Sequence, residues 1–311
     1  MRSEAARSGR LLVGAAAMCW STGGLIARLV DTDPWTTVFW RGLFCAAFLV
    51  AVTALREGRR TPGVFLGMGW PGLAMATCFA IASTCFIMAL HRTSVANVLI
   101  IQSLSPFMAG LLGWLWMGER VAGRTWAAMG VALLGSAIMV SRYVYAEAAA
   151  GSIGGDLLAF TVALAFAIAT VFLRRHRHVQ MLPAAALAAA LTGLVTAVAA
   201  RPGSADGGDL LLLALFGIGQ LGLGMILFTA GARRIPVAEA ALIAVLESVL
   251  GPVWVWLALG ENPGAPSLVG GAIVLAALAG HTLADLRLEA RAEAAQSVSG
   301  SGSRNRPSTG T

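Results

Sequence analysis

VANVLIIQSLSPFMAGLLGWLWMGER, residues 95–120, returns in altered form as VAEAALIAVLESVLGPVWVWLALGEN, residues 237–262. Aligned without a gap from Arg92 to Glu119 and from Arg234 to Glu261, the two stretches agree at nine of 28 positions. Shared Ala, Val and Leu carry little weight in so apolar a chain. The pairs Arg92/Arg234, Trp114/Trp256, Gly118/Gly260 and Glu119/Glu261 are harder to ascribe to composition. A weaker echo lays Leu11 to Trp20 over Leu157 to Phe166. Internal repetition settles architecture ahead of any other signal.

The chain is 58% hydrophobic and 12% charged, where soluble domains carry about a quarter of their residues charged. It is therefore an integral membrane protein. Apolar runs near the length of about 20 residues that crosses a bilayer as helix occur ten times, at roughly 11–30, 35–55, 67–90, 95–117, 125–143, 156–174, 181–200, 210–232, 237–259 and 267–285. The Ala-rich run at 181–200, opened by Pro183, is the weakest of them. The predicted fold is all-α and polytopic, with ten transmembrane helices in two five-helix repeats, residues 11–145 and 156–285. Five is odd, so the second repeat enters the membrane from the opposite face; such inverted repeats are typical of secondary transporters. Residues 146–155 read as a linker, and the Gly/Ser-rich segment 287–311 as a disordered cytoplasmic tail.

All 22 basic residues are arginine. Seventeen fall in the tails and in the loops after even-numbered spans; Arg28, Arg92, Arg142 and Arg201 lie on the other side, and Arg41 inside the second span. This is the positive-inside pattern, and it places both termini in the cytoplasm of a multi-pass inner-membrane protein. The net charge of +7 is a topology signal, and no nucleic acid is expected as partner. The basic leader before the first span resembles a signal sequence, but nine further spans favour an uncleaved first helix. Cys19, Cys45, Cys78 and Cys85 lie inside spans without metal-ligand spacing and read as small packing residues.

Ionisable groups deep in a bilayer are costly and face a cavity or a partner. Glu247 stands near the centre of the ninth span, and Pro252 is expected to free the carbonyl of Ser248 beside it. The repeat lays Glu247 over Ser105 in the fourth span, where Gln102, Ser103, Ser105 and Pro106 cluster. Gln102, Ser105 and Pro106 share one helical face, and Pro106 is expected to free the carbonyl of Gln102. These groups either line a binding site or bond helix to helix. Arg41, about 9 Å into its span, has three readings: snorkelling to the interface, pairing with an acid, or holding a solute carboxylate. Gln220, Ser21 and Thr22 are further candidates for a cavity wall, and mid-span Trp20 for stacking on a solute. Glu239 reads either as a gate residue or as a solvated carboxylate at a helix start.

Gly217 to Gly222 fits GxGxxG, but inside an apolar span it reads as close helix packing rather than a dinucleotide fingerprint. The histidines, His91, His176, His178 and His281, lie near span ends or in loops without zinc spacing. No nucleotide-binding loop, catalytic constellation, cofactor motif or metal-ligand set is present in the sequence, so neither an ATP-driven pump nor an enzyme is expected.

Ten spans in two inverted halves, each with a helix ending in Gly-Glu (WLWMGER at 114–120, WLALGEN at 256–262), resemble the EamA family of the drug/metabolite transporter superfamily. Residues 95–120 look like that family's fourth helix and 237–262 like its ninth; Arg41, in FWRGLF, matches an arginine common in its second. The resemblance implies a small-solute carrier, often an exporter, with a central cavity between the halves. It leaves Glu119 and Glu261 as structural helix-end acids. The expectation is a secondary transporter working by alternating access on an amine-bearing or amphipathic metabolite, with Glu247 binding the cation or a proton and Gln102, Ser105, Gln220, Trp20 and Arg41 around it. Alternatives are a passive facilitator without ion coupling and a membrane-embedded group transferase. A homodimer is compatible with the chain.

Overall fold

A computed structural model describes residues 2–90, 92–93, 98, 101–147, 153–260, 262 and 264–303. Among them there is no β-strand, and the helices follow the ten hydropathic runs. The first span comprises Arg2–Ser21 and Gly23–Leu29, the second is Pro34–Glu57, the third Gly69–Leu90, and the fourth ends in Ser105–Met117. The fifth is Gly123–Glu147, the sixth Ile153–Arg175 and the seventh Leu182–Thr196. Gly207–Leu215 and Leu223–Ala232, joined by a π-helical segment Phe216–Gly222, form the eighth. Val237–Ala244 and Leu246–Leu259 form the ninth, and Gly264–Ser303 the tenth. Among the described residues seven helices are long and apolar enough to cross a membrane by length and composition alone. The seventh span is shorter, its 15 residues rising about 22 Å.

Local chemistry fixes the span ends. Asp33 caps the second span, its carboxylate accepting from the main-chain N–H groups of Trp35 and Thr36 and from Thr36 Oγ1. Burial pushes this carboxyl up, but those bonds outweigh it and hold Asp33 below the ordinary carboxylate range. The recurring Trp-x-x-x-Gly is a helix terminator. Gly118 and Gly260 sit at φ 67° and 71°, and each donates its N–H to the carbonyl of the tryptophan four residues earlier, Trp114 and Trp256, at 2.9 Å. Only glycine adopts that left-handed backbone freely, which accounts for its recurrence at both ends. Glu261 lies outside the described residues.

Which spans pack together follows a two-fold rule. The second packs on the seventh, the fourth on the ninth and the fifth on the tenth. First-on-eighth is matched by third-on-sixth, first-on-ninth by fourth-on-sixth, and second-on-eighth by third-on-seventh. Exchanging the repeats leaves this set unchanged, as an inverted pair requires. The symmetry reaches single residues: a Cβ on Gly9 would lie 2.8 Å from Ile235 Cγ2 and 2.9 Å from Arg234 Cβ, and one on Gly155 would lie 2.6 Å from Thr93 Cβ and 2.7 Å from the carbonyl carbon of Arg92. The offset from 9 to 155 is the one that lays Leu11 on Leu157. Trp20 and Phe166, also equivalent, meet edge to face at 6.2 Å, and with Phe79 and Phe228 they form an aromatic cluster between the repeats.

Three features differ from expectation. The ninth span has a break that the sequence does not announce, at Val245, with short-range bonds from Val245 N to Leu242 O and from Ser248 N to Val245 O, while Pro252 lies inside the helix Leu246–Leu259. The fourth breaks at the matching place, Ser103-Leu104, and restarts with Pro106 in its first turn. The polar segment after 287 is helical as far as Ser303 instead of a free tail, because Leu286 to Ala295 are mostly strong helix formers and extend an existing helix without a new nucleus. Residues 304–311 and, in the expected linker, 148–152 lie outside the described residues.

Candidate functional site

The two broken spans, the π segment and the second span converge on one cavity of about 140 Å³ between the repeats. Its wall includes Trp20, Arg41, Gln102, Gln220 and Glu247, so the structure brings together five of the six residues singled out from sequence. Ser105 is buried but not among the lining residues. The turn at Ser103-Leu104 is the reason: Gln102 ends one helical segment and Ser105 begins another, so they no longer share a face. Ser21 and Thr22 are also absent from the wall. Their hydroxyls donate to the carbonyls of Met18 and Cys19 at the break in the first span, and Ser21 Oγ accepts from Trp254 Nε1 at 2.8 Å.

Glycines let the cavity form. The Gly217 to Gly222 motif is the π-helical segment, and it lies on the second span: a Cβ on Gly217 would come within 2.6 Å of the Arg41 carbonyl, and one on Gly222 within 2.7 Å of Phe48 Cδ1. A π segment turns its side chains out of α-helical register, and here it presents Gln220 to the first span. Gln220 Nε2 donates to the Trp20 carbonyl at 3.0 Å, with Gly23 leaving the room; a Cβ there would stand 2.9 Å from that nitrogen.

Arg41 is 6% exposed and lies in the cavity wall. Its Nη2 donates to Ser83 Oγ at 2.7 Å, and the guanidinium lies 5.1 Å from the Phe216 ring centroid. Glu247 lines the same cavity, and the two form no direct ion pair. Three buried polar atoms of the wall have no hydrogen-bond partner: Arg41 Nε, Trp20 Nε1 and Gln220 Oε1. Buried polar atoms are almost always satisfied. These unsatisfied atoms belong to residues of the wall, and a cation and a carboxylate in the same lining suit a polar solute. Phe79, Phe86 and Phe166 complete an aromatic wall, and Thr192 and Ser83 add hydroxyls. None of these was found in the sequence, where a Phe or Ser in an apolar span carries no distinguishing signal.

Glu239 is not a solvated carboxylate. It is 3% exposed and takes Arg10 Nε at 2.5 Å. Glu119 accepts from Arg174 Nε at 3.0 Å and lies 3.4 Å from Val237 N, at the start of the ninth span. It thereby ties the end of one repeat's fourth span to its counterpart, a structural role.

Residues 7–141 and 153–283 each match the EamA-like transporter family. A relative from Archaeoglobus fulgidus described as an uncharacterized transporter is 26% identical over 278 residues, covering 87% of this chain and 94% of its own. A solved crystal structure superposes with a TM-score of 0.77 at 21% identity, over 93% of this chain and all of the other, and shows the same fold.

Proposed function

Because the chain belongs to the EamA-like transporter family and is a multi-pass membrane transporter, we propose that it moves a small amine-bearing or amphipathic metabolite out of the cell across the inner membrane, by alternating access, with both termini cytoplasmic. The observation that carries this reading is the cavity itself: Glu247 and Arg41 share it without pairing, against an aromatic wall. Glu247 takes the solute's cation and, when the site is empty, a proton. Arg41 holds an electronegative group at the other end. Gln102 and Gln220 orient the solute, and Trp20 and the phenylalanines pack its apolar part. Ser105 contributes by supporting the break beside Gln102 rather than by contact.

Uptake into proteoliposomes, with and without an imposed proton gradient, tests the proposal. Gradient-driven flux that Glu247→Gln abolishes is the expected result. Flux unaffected by the gradient identifies a passive facilitator, and flux unchanged in Glu247→Gln removes the carboxylate from the mechanism.

A further inference from the structure

A second group of buried charges joins the repeats near the face at which the N-terminus enters. Arg10 of the first span pairs with Glu239 of the ninth at 2.5 Å and reaches Asp285 of the tenth at 3.7 Å. Arg124, opening the fifth span, places Nε 2.7 Å from Asp285 Oδ1. Thr125 Oγ1 and His281 Nε2 stand 2.9 Å apart, and His281 Nδ1 is 3.9 Å from Asp285 Oδ2. The links made by Arg10, Arg124 and Thr125 all run from the first repeat to the second. The Glu239 and Asp285 side chains are 4% and 10% exposed.

Glu239, His281 and Asp285 bring ligand atoms within 4.8 Å of one another, as a metal site would. Two arginines already balance the two carboxylates, which leaves no charge for a cation to satisfy. The group is better understood by its position. Arg10 lies ten residues before Trp20 in the first span and Glu239 eight before Glu247 in the ninth, so the network sits about 12–15 Å below the cavity wall on the same helices. It therefore lies between the cavity and that face on these helices.

The opposite face is built differently. At the positions equivalent to Arg10, Glu239, Arg124, His281 and Asp285 the sequence has Asp156, Asn97, Pro266, Met139 and Tyr143, of which only Asp156 is charged. The uncharged link survives there, since Ser267, equivalent to Thr125, donates to the Met139 carbonyl at 3.0 Å. The inverted repeat alone makes the two end states equivalent, and residues that differ between faces break the tie.

We propose that Arg10, Glu239, Asp285 and Arg124 form a one-sided latch that holds the N-terminal face shut at rest and must separate for the cavity to open there. This rests on the alternating-access reading. The test needs no solute. In a background lacking Cys19, Cys45, Cys78 and Cys85, Ala188→Cys in the cavity wall is labelled with a membrane-impermeant maleimide from either side of sealed vesicles. Labelling from the N-terminal face is expected to be slow in this parent and at least about tenfold faster in Glu239→Gln and Asp285→Asn, a modest response for the loss of a buried ion pair. The double exchange Arg10→Glu with Glu239→Arg is expected to slow it again. Arg124→Gln, at the half-exposed end of the network, retains the buried Arg10–Glu239 pair and serves as the variant that keeps its fold. An unchanged rate in monodisperse Arg124→Gln and Asp285→Asn overturns the latch. Equal labelling of the parent from both faces overturns alternating access itself, and the latch with it.

Discussion

Gln220 Nε2 is bonded to the Trp20 main-chain carbonyl at 3.0 Å, a contact between the π segment of the eighth span and the break in the first. It spans the two repeats, and Gln220 Oε1 is buried without a hydrogen-bond partner. One amide thus ties the repeats together with its nitrogen while its side chain forms part of the cavity wall.

Gln220→Leu removes both functions. A buried carbonyl stripped of its donor costs about 1–3 kcal/mol, so thermal unfolding in detergent is expected several degrees lower and transport strongly reduced. Gln220→Glu keeps the size but places an acceptor against the Trp20 carbonyl, and is expected to be as destabilising. Wild-type stability in either variant would show that the contact contributes nothing.

The two terminator glycines give a second prediction. Alanine at Gly118 or Gly260 must hold a left-handed backbone, at a penalty of about 1–2 kcal/mol. Gly14, inside the first helix with open space where a Cβ would stand, is the control: alanine there is expected to raise stability by up to about 1 kcal/mol. Scanning fluorimetry on the three variants distinguishes a conformational requirement from general intolerance of substitution.

Arg41→Lys retains the charge but loses the planar group that reaches Ser83 and lies near Phe216. Competition by solutes bearing a carboxylate is expected to weaken about tenfold in Arg41→Lys and further in Arg41→Gln, a loss in the range of a hydrogen bond to a charged group. Solutes carrying an amine alone are expected to compete as before. Equal losses for both classes would argue that Arg41 only shapes the cavity.

Asp33→Ala tests the start of the second span. Losing an N-cap costs about 1 kcal/mol. Since the folded carboxyl is held below its ordinary value, the cap's contribution is full above about pH 4, the unfolded carboxylate's range, and fades as pH falls through the lower folded value. The gap in melting temperature between wild type and Asp33→Ala is therefore expected to be constant at neutral pH and to close on acidification.

The parts of this molecule legible in its sequence are those written as pattern. Ten apolar runs, the Trp-x-x-x-Gly echo and the offset between repeats correspond directly to spans, terminators and pairing. Glu247, Arg41 and Gln220 stood out because a charge or amide in hydrocarbon is conspicuous. Ser105 falls outside the wall because the turn at Ser103-Leu104 separates it from Gln102, and no residue of the ninth span announces its break at Val245. Local rules locate a proline's missing bond, but the turn forms where the neighbouring repeat leaves space. Glu239 carries two readings in the sequence, His281 only that of a span-end histidine, and Asp285 none. Only the return of the tenth span against the first and ninth makes them a group, and no spacing along the chain encodes that.

The contacts of Gly9 with Arg234-Ile235 and of Gly155 with Arg92-Thr93 have a mechanical consequence. They lie at diagonal corners of the molecule, one at each face, and at both the glycine offers bare backbone. The two glycines therefore set how closely the repeats approach at these corners, and alanine at either is expected to push the repeats apart and lower stability, most at Gly155, where a Cβ would meet the main chain of Arg92-Thr93.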